Sequence, residues 1–167
     1  MIRHDTFTIQ RHLDLPPPEI FAAFADTAVR RRWTRLPGSG ATYEQDFRVG
    51  GGETASSTFT TLDSPPERLG YRSRFLDIVP GHRIVYGYEA IVDATVRWTS
   101  LVTVQLHDDA PGTRLDWTEQ VTFLACAGDG SRDLAHLRGA TVLRLNGLDA
   151  ALTSAPPPRA QRVKGWL

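Results

Sequence analysis

Hydrophobic and polar positions alternate with a period of two along most of this chain. In DTFTIQRHLDL, Phe7, Ile9, Leu13 and Leu15 share one parity, while Thr6, Thr8, Gln10, His12 and Asp14 share the other. That pattern predicts a half-buried strand. Pro16-Pro17-Pro18 ends it and, because proline fits a first helical turn, opens a short helix in PEIFAAFAD that buries Ile20, Phe21 and Phe24. A second short turn, capped by Asp26 or Thr27, carries Val29 and Trp33 inward and leaves Arg30, Arg31 and Arg32 largely solvated. LPGSGA, residues 36–41, reads as a loop. Six strand-like segments follow: TYEQDFRV, ETASSTFTTL, LGYRSRFLDIV, RIVYGYEAIV, VRWTSLVTVQLH and TRLDWTEQVTFL. Turn signals punctuate them at Gly50-Gly51-Gly52, Ser64-Pro65-Pro66, Pro80-Gly81 and Asp109-Ala110-Pro111-Gly112. Links this short predict an antiparallel meander, because parallel pairing needs crossovers of about a dozen residues.

After Gly128-Asp129-Gly130 the period changes. With Ser131 as N-cap, Leu134, Leu137, Thr141, Leu145, Leu148 and Leu152 form one stripe of a helix running to about residue 154. That helix is about 33 Å long at about 1.5 Å per residue, the span of a ten-residue strand at about 3.3 Å each. The predicted class is therefore α+β: a curved antiparallel sheet of about seven strands around a long C-terminal helix, with two short helices after the first strand. Residues 1–154 are expected to form one domain, and 155–167, APPPRAQRVKGWL, a flexible tail whose Trp166 is available to dock. Where a curved sheet meets one helix, side chains fill the wedge near the helix ends only in part, and such wedges are common ligand sites.

The chain has 167 residues, with 19 Lys+Arg against 19 Asp+Glu, so no net field gathers polyanions or anionic lipid. Nucleic acid is a poor partner on that ground. No run of 18 apolar residues occurs and the N-terminus lacks a leader pattern, so integral membrane association is not expected and a cytoplasmic location is. A single cysteine, Cys126, precludes an internal disulfide and reads as a packing thiol. His4, His12, His82, His107 and His136 lack metal-ligand spacing, so no metal is expected. The triple glycine joins two strands without the helix N-terminus that phosphate binding needs, and no serine sits in a G-x-S-x-G elbow. No cofactor is called for.

Candidate chemistry lies on the inward parities. Leu115, Trp117 and Val121 share a face with Glu119, which makes Glu119 the best candidate for a catalytic or ligand-binding carboxyl. The plainer alternative is a strand-end glutamate, wet or paired with arginine. Arg11 shares the parity of Ile9 and Leu13, and Arg138 lies about 40° off the leucine stripe. Either is a candidate partner for Glu119 or receptor for an anionic head group, against the plainer reading of a structural ion pair. Trp33, Phe75, Tyr86, Tyr88, Trp98 and Trp117 offer stiff apolar surface for a pocket or simply core, and Ser100 adds a hydroxyl.

RHLDLPPPEIFAAFADTAVRRRW, the DFRVGGG hairpin, FLDIVPGHRIVYGYE, LVTVQLHDDAPGTRLDWTEQ and the closing amphipathic helix together resemble the SRPBCC or START-like superfamily. Within it the chain is most similar to the branch named after the activator of the 90-kDa heat-shock protein ATPase, over residues 5–153. The small, hydroxylated ETASSTFTTL and the tail past Pro156 depart from that pattern. The resemblance implies a helix-grip fold with a hydrophobic pocket between sheet and helix. Its members include lipid and sterol carriers, aromatic cyclases and chaperone activators, so fold does not fix activity. The expected function is binding or transport of a small hydrophobic molecule. A polyketide cyclase or hydrolase-like enzyme using Glu119, or a protein-interaction module, are the alternatives, and the sequence leaves open a homodimer through the tail or a sheet edge.

Overall fold

The computed structural model describes residues 2–154. The tail with Trp166 lies outside the described residues. In chain order the elements are β1 (Arg3–Leu13), α1 (Pro17–Ala25), α2 (Thr27–Trp33), β2 (Ser39–Gln45), β3 (Glu53–Phe59), β4 (Glu67–Val79), β5 (Arg83–Val92), β6 (Thr95–Asp109), β7 (Gly112–Phe123) and α3 (Asp133–Thr153). The strands form one seven-stranded sheet in the order β1-β7-β6-β5-β4-β3-β2. Every neighbouring pair is antiparallel. The meander from β2 to β7 follows from the short turns, and β1 closes the far edge by pairing with β7. The result is the predicted helix-grip α+β architecture.

Register fixes which side chains turn inward. Ile9 lies opposite Trp117 and Phe7 opposite Glu119. Tyr86 lies opposite Val102 and Tyr88 opposite Ser100. A shift of one residue would move every one of these to the outer face. The core is a chain of edge-on aromatic contacts: Phe21 to Phe47 (5.6 Å), Phe47 to Phe75 (5.0 Å), Phe75 to Tyr86 (6.0 Å) and Tyr86 to Trp117 (6.2 Å). Edge-to-face packing suits the ring quadrupoles and fixes orientation as well as area. Against this face α3 buries Leu137, Thr141, Leu145, Leu148 and Ala151. It packs on α1, α2 and β1. Gly147 lets α3 lie close against α2, since a Cβ there would sit 3.4 Å from Trp33 Cβ.

Three boundaries differ from the sequence reading. α3 begins at Asp133 because Ser131 is taken by the preceding loop, where its N–H and Oγ donate to Asp129 Oδ1 at 3.0 and 2.6 Å. β2 begins at Ser39, inside the expected loop, across a bulge between Ser39 and Thr42. It also stops at Gln45 instead of running through Val49. From Asp46 the chain folds back onto β4, with Gly50 N–H donating to Phe75 O and Phe75 N–H to Gly51 O. Only glycine permits that approach at residue 52, where a Cβ would lie 1.9 Å from Ser73 O.

Candidate functional site

The concave face carries two carboxylates removed from water: Glu53 at the start of β3 (1% exposed) and Glu119 in the middle of β7 (0%). They are satisfied in different ways.

Glu53 faces a cation. Arg30, on α2, gives it Nε–H to Oε1 at 2.7 Å and Nη2–H to Oε2 at 3.3 Å. Tyr43 on β2 donates to Oε1 at 2.6 Å, and Tyr71 and Ser73 on β4 donate to Oε2 at 3.3 and 3.2 Å. The Arg30 guanidinium is stacked over the Trp33 ring at 4.2 Å and lies 5.3 Å from the Phe24 ring centroid. Burial alone raises a carboxyl pKa, yet the Arg30 charge and the donors from Arg30, Tyr43 and Ser73 outweigh it and hold Glu53 below its usual range. The local sequence explains the placement. Asp26 caps α2 by accepting from the N–H groups of Ala28 and Val29. With that start, Arg30 falls three residues before Trp33 on the inward face.

Glu119 faces neutral donors. The Tyr88 hydroxyl donates to Oε1 at 2.5 Å and Trp117 Nε1–H to Oε2 at 3.2 Å. Trp98 Nε1–H in turn donates to the Tyr88 oxygen at 3.1 Å. Burial, then the Glu119 charge, pushes the Tyr88 phenol well above its ordinary pKa, so it stays protonated and acts as a donor. The Tyr71 and Tyr88 rings, 5.1 Å apart, join the two networks.

A second arginine completes this interior. Arg144, half-buried on α3, faces Tyr88, Tyr86, Tyr71 and Glu119; burial opposes its charge, but these neighbours raise its pKa. Among the described residues the buried Tyr86 Oη and Ser100 Oγ have no hydrogen-bond partner, nor has Arg30 Nη1. At the N-terminal end of α3 a cleft of about 340 Å³ opens between helix and sheet, lined by Trp98, Phe123, Val92, Leu137 and Ala140, with Glu67, Arg97, Asp133 and His136 also in its wall. Ala140 is one helical turn before Arg144. Trp98 thus stands between the cleft and the Tyr88–Glu119 pair. Four larger depressions lie elsewhere: about 680 Å³ beside α2, over Arg31, Arg32 and Arg35; about 590 Å³ over Ser56, Arg68 and Ile91; about 580 Å³ on the outer sheet face over Thr6, Thr99 and Gln120; and about 460 Å³ over Arg48, Gly51 and Arg74. None is lined by α3. Among the described residues no group of three or more His, Cys, Asp or Glu gathers as a metal site.

The structure brings together Glu119, Tyr88, Trp98, Trp117, Tyr86 and Ser100 from the sequence-derived set, and separates the others. Arg11 is held at the edge by donating to Asn146 Oδ1 at 3.1 Å and does not reach Glu119. Arg138 is a correction, for it is exposed on the outer side of α3. The inward arginine of that helix is Arg144: residues 138 and 144 flank the leucine face of 137, 141, 145 and 148 on opposite sides, and only the side of 144 is half-buried. Trp33 is structural, its Nε1–H donating to Ala23 O at 3.0 Å and its ring covering Arg30. Phe75 packs between Phe47 and Tyr86. Arg30, expected in solvent, is 2% exposed. With Glu53 and Tyr43 it is what the sequence reading missed. The available signals were Glu53 sharing a parity with Ala55 and Ser57, and the three-residue step from Arg30 to Trp33.

A family model described as Activator of Hsp90 ATPase homolog 1-like protein matches residues 14–137. The chain belongs to that family. Solved structures similar to this chain carry the same architecture. A Rhizobium leguminosarum protein is 32% identical over 93% of this chain and 98% of its own, with a TM-score of 0.78. A Rhizobium loti protein is 38% identical over 90% and 99%, with a TM-score of 0.73. A protein of the dynemicin biosynthetic locus, 14% identical over 92% of this chain and 49% of its own, shares the fold at a TM-score of 0.64. No curated protein matches the chain. No helix among the described residues is long and apolar enough to cross a membrane.

Proposed function

We propose that the protein binds a small, largely apolar molecule in the cleft between the N-terminal half of α3 and the concave face of the sheet. The observation that carries this is the cleft itself: about 340 Å³, walled by Trp98, Phe123, Val92, Leu137 and Ala140, in the helix–sheet wedge. That volume is at the small end of ligand pockets, so the guest is a compact ring system and not a long-chain lipid. Trp98 orients it from the sheet side, held in turn by Tyr88 and Glu119 behind it.

A cyclase-like reaction at Glu119 is the second reading, favoured by its complete burial beside the aromatic residues that would hold a flat substrate. Binding accounts better for the geometry. Both Glu119 oxygens already accept hydrogen bonds, and the Tyr88 phenol is held protonated. A protein-interaction role is less well supported, because the large exposed apolar residues Ile2, Val49, Leu62, Leu76, Leu124 and Leu143 are scattered over separate elements and loops.

Native mass spectrometry of freshly purified protein tests the proposal, together with Ala140→Trp, which fills the cleft from an exposed helix position. A co-purifying compound that the wild type retains and Ala140→Trp loses, at unchanged melting temperature, is expected. Equal retention by both proteins refutes the cleft as the site.

A further inference from the structure

Arginines gather without matching acids beside α2. Its last turn carries Arg30, Arg31 and Arg32, and Arg35 follows two residues past its end. Arg30 turns inward and pairs with Glu53. The other three are exposed, and none of them forms an ion pair among the described residues. All three line one concavity of about 680 Å³ between α2 and the edge strand β2, together with Ala41, Thr42, Tyr43, Glu44 and Ala55. Tyr43 and Ala55 pair in register, and with Ala41 they supply the apolar part of its wall. Two of the guanidiniums are held by one hydrogen bond each. Arg31 Nη2–H donates to Tyr43 O at 3.0 Å, and Arg32 Nη2–H to Ser154 Oγ at 2.6 Å. A guanidinium carries five N–H groups, so both keep most of their donors, and Arg35 makes no hydrogen bond among the described residues. A helix C-terminus favours cations, which accounts for Arg31 and Arg32 but not for Arg35, beyond the end of α2.

We infer that this concavity is a second binding site, separate from the helix–sheet wedge, for a small organic phosphate monoester. Three arginines stand in its wall against one carboxylate, Glu44, so it lacks two negative charges. The sequence that follows Ser154 does not supply them, because residues 155–167 contain Arg159, Arg162 and Lys164 and no Asp or Glu. A phosphate monoester carries about −1.5 to −2 near neutral pH and three strong acceptor oxygens on one centre. That matches both the deficit and the planar forks of several guanidiniums. A single carboxylate supplies half the charge. The volume falls within the range of small-molecule pockets, which leaves room for a ring or short chain against Tyr43, Ala41 and Ala55. A nucleic-acid track is a poorer fit, since the chain as a whole has no net charge and Glu44 interrupts the basic wall.

Titrations at low salt followed by amide NMR, with phenyl phosphate, benzenesulfonate and inorganic phosphate as probes, read the charge and the apolar wall separately. Phenyl phosphate is expected to shift the amides of residues 31–35 and 41–44. It should bind at least about 3-fold tighter than benzenesulfonate, a monoanion of the same shape, and tighter than inorganic phosphate. Arg35→Gln, at an exposed position without a bond to lose, should weaken phenyl phosphate about 10-fold at unchanged melting temperature, the ratio of one hydrogen bond to a charged donor. Glu44→Gln removes the acid from the wall and should tighten it about 3-fold. Opposite responses of two surface variants are the mark of a charged site, since a disturbed fold weakens binding in both. Shifts confined to other elements, affinity undiminished in Arg35→Gln, or benzenesulfonate binding as tightly as phenyl phosphate overturns the inference. Inorganic phosphate binding as tightly as phenyl phosphate overturns the assignment to an ester, and tighter binding of octathymidylate overturns the assignment to a small molecule. The wedge proposal is tested separately by Ala140→Trp and stands or falls on its own.

Discussion

Removing Arg30 while keeping Glu53 should expose how much the fold depends on this buried pair. In Arg30→Met the Glu53 carboxylate keeps its position, 1% exposed, and loses two of its five donors together with the only cation bonded to it among the described residues. Breaking a buried pair from one side costs about 3–5 kcal/mol, because the remaining charge is desolvated without compensation. At about 3 °C per kcal/mol for a chain of this size, the melting temperature falls by roughly 10–15 °C. The double variant Arg30→Met/Glu53→Met removes both charges and should recover much of that loss, since an apolar pair of similar volume is often close to neutral. The pH dependence gives a second, independent reading. In the wild type the Glu53 pKa is depressed below the 4.5 of an unperturbed carboxyl, so its contribution is complete above that value and disappears as pH falls through the folded pKa. In Arg30→Met burial dominates and the pKa rises, so protonation on acidification relieves the variant. The gap between the two proteins must therefore narrow on acidification, first above about pH 4.5 as the variant's raised carboxyl protonates, and further below it as the wild type loses the contribution of its depressed one. Chemical denaturation at pH 7 and pH 4 measures it. A loss under 1 kcal/mol at pH 7, or a gap that widens in acid, refutes the reasoning.

Further outcomes follow from other contacts. The β5–β6 turn holds Asp93 and Ala94 at φ 49° and 65°. A left-handed alanine is strained by about 1 kcal/mol or more, so Ala94→Gly, at an exposed position, should raise the melting temperature by roughly 2–3 °C; a lower value contradicts this. Gly52→Ala must push a methyl to within 1.9 Å of Ser73 O, and a stability loss of about 2 kcal/mol or more is expected in urea. Leu148, 0% exposed on α3, should cost about 3–5 kcal/mol when cut to alanine. Hydrogen exchange in that variant should show lost protection across α3 and the strands it covers.

The sheet and its helix were legible because period two and period 3.6 depend on which residues are apolar and little else. Ile84, Tyr86, Tyr88 and Ala90 alternate along β5, and Leu137, Leu145 and Leu148 recur along α3. Glu119 was legible for the same reason, as a carboxyl interrupting a strand's apolar parity. Arg30 was not. Three consecutive arginines look alike in sequence, and the one turned inward is chosen by where α2 starts, hence by the Asp26 cap, and by an acid 23 residues away that it must reach. Arg138 and Arg144 were exchanged because each flanks the leucine stripe, on opposite sides. Only the position of the helix over the tyrosines of β4 and β5 distinguishes them.

The two carboxylates therefore divide the interior by what faces them. Glu53 is locked by a guanidinium and three further donors, and the same contacts clamp α2 to β2, β3 and β4. Glu119 is bonded by a phenol and an indole, with no cation hydrogen-bonded to it among the described residues, and Trp98, which lines the cleft in the helix–sheet wedge, reaches it through Tyr88. Neutralising Arg30 removes the clamp and should show in how well the chain folds, whereas a change in the Trp98–Tyr88–Glu119 relay should show in what binds.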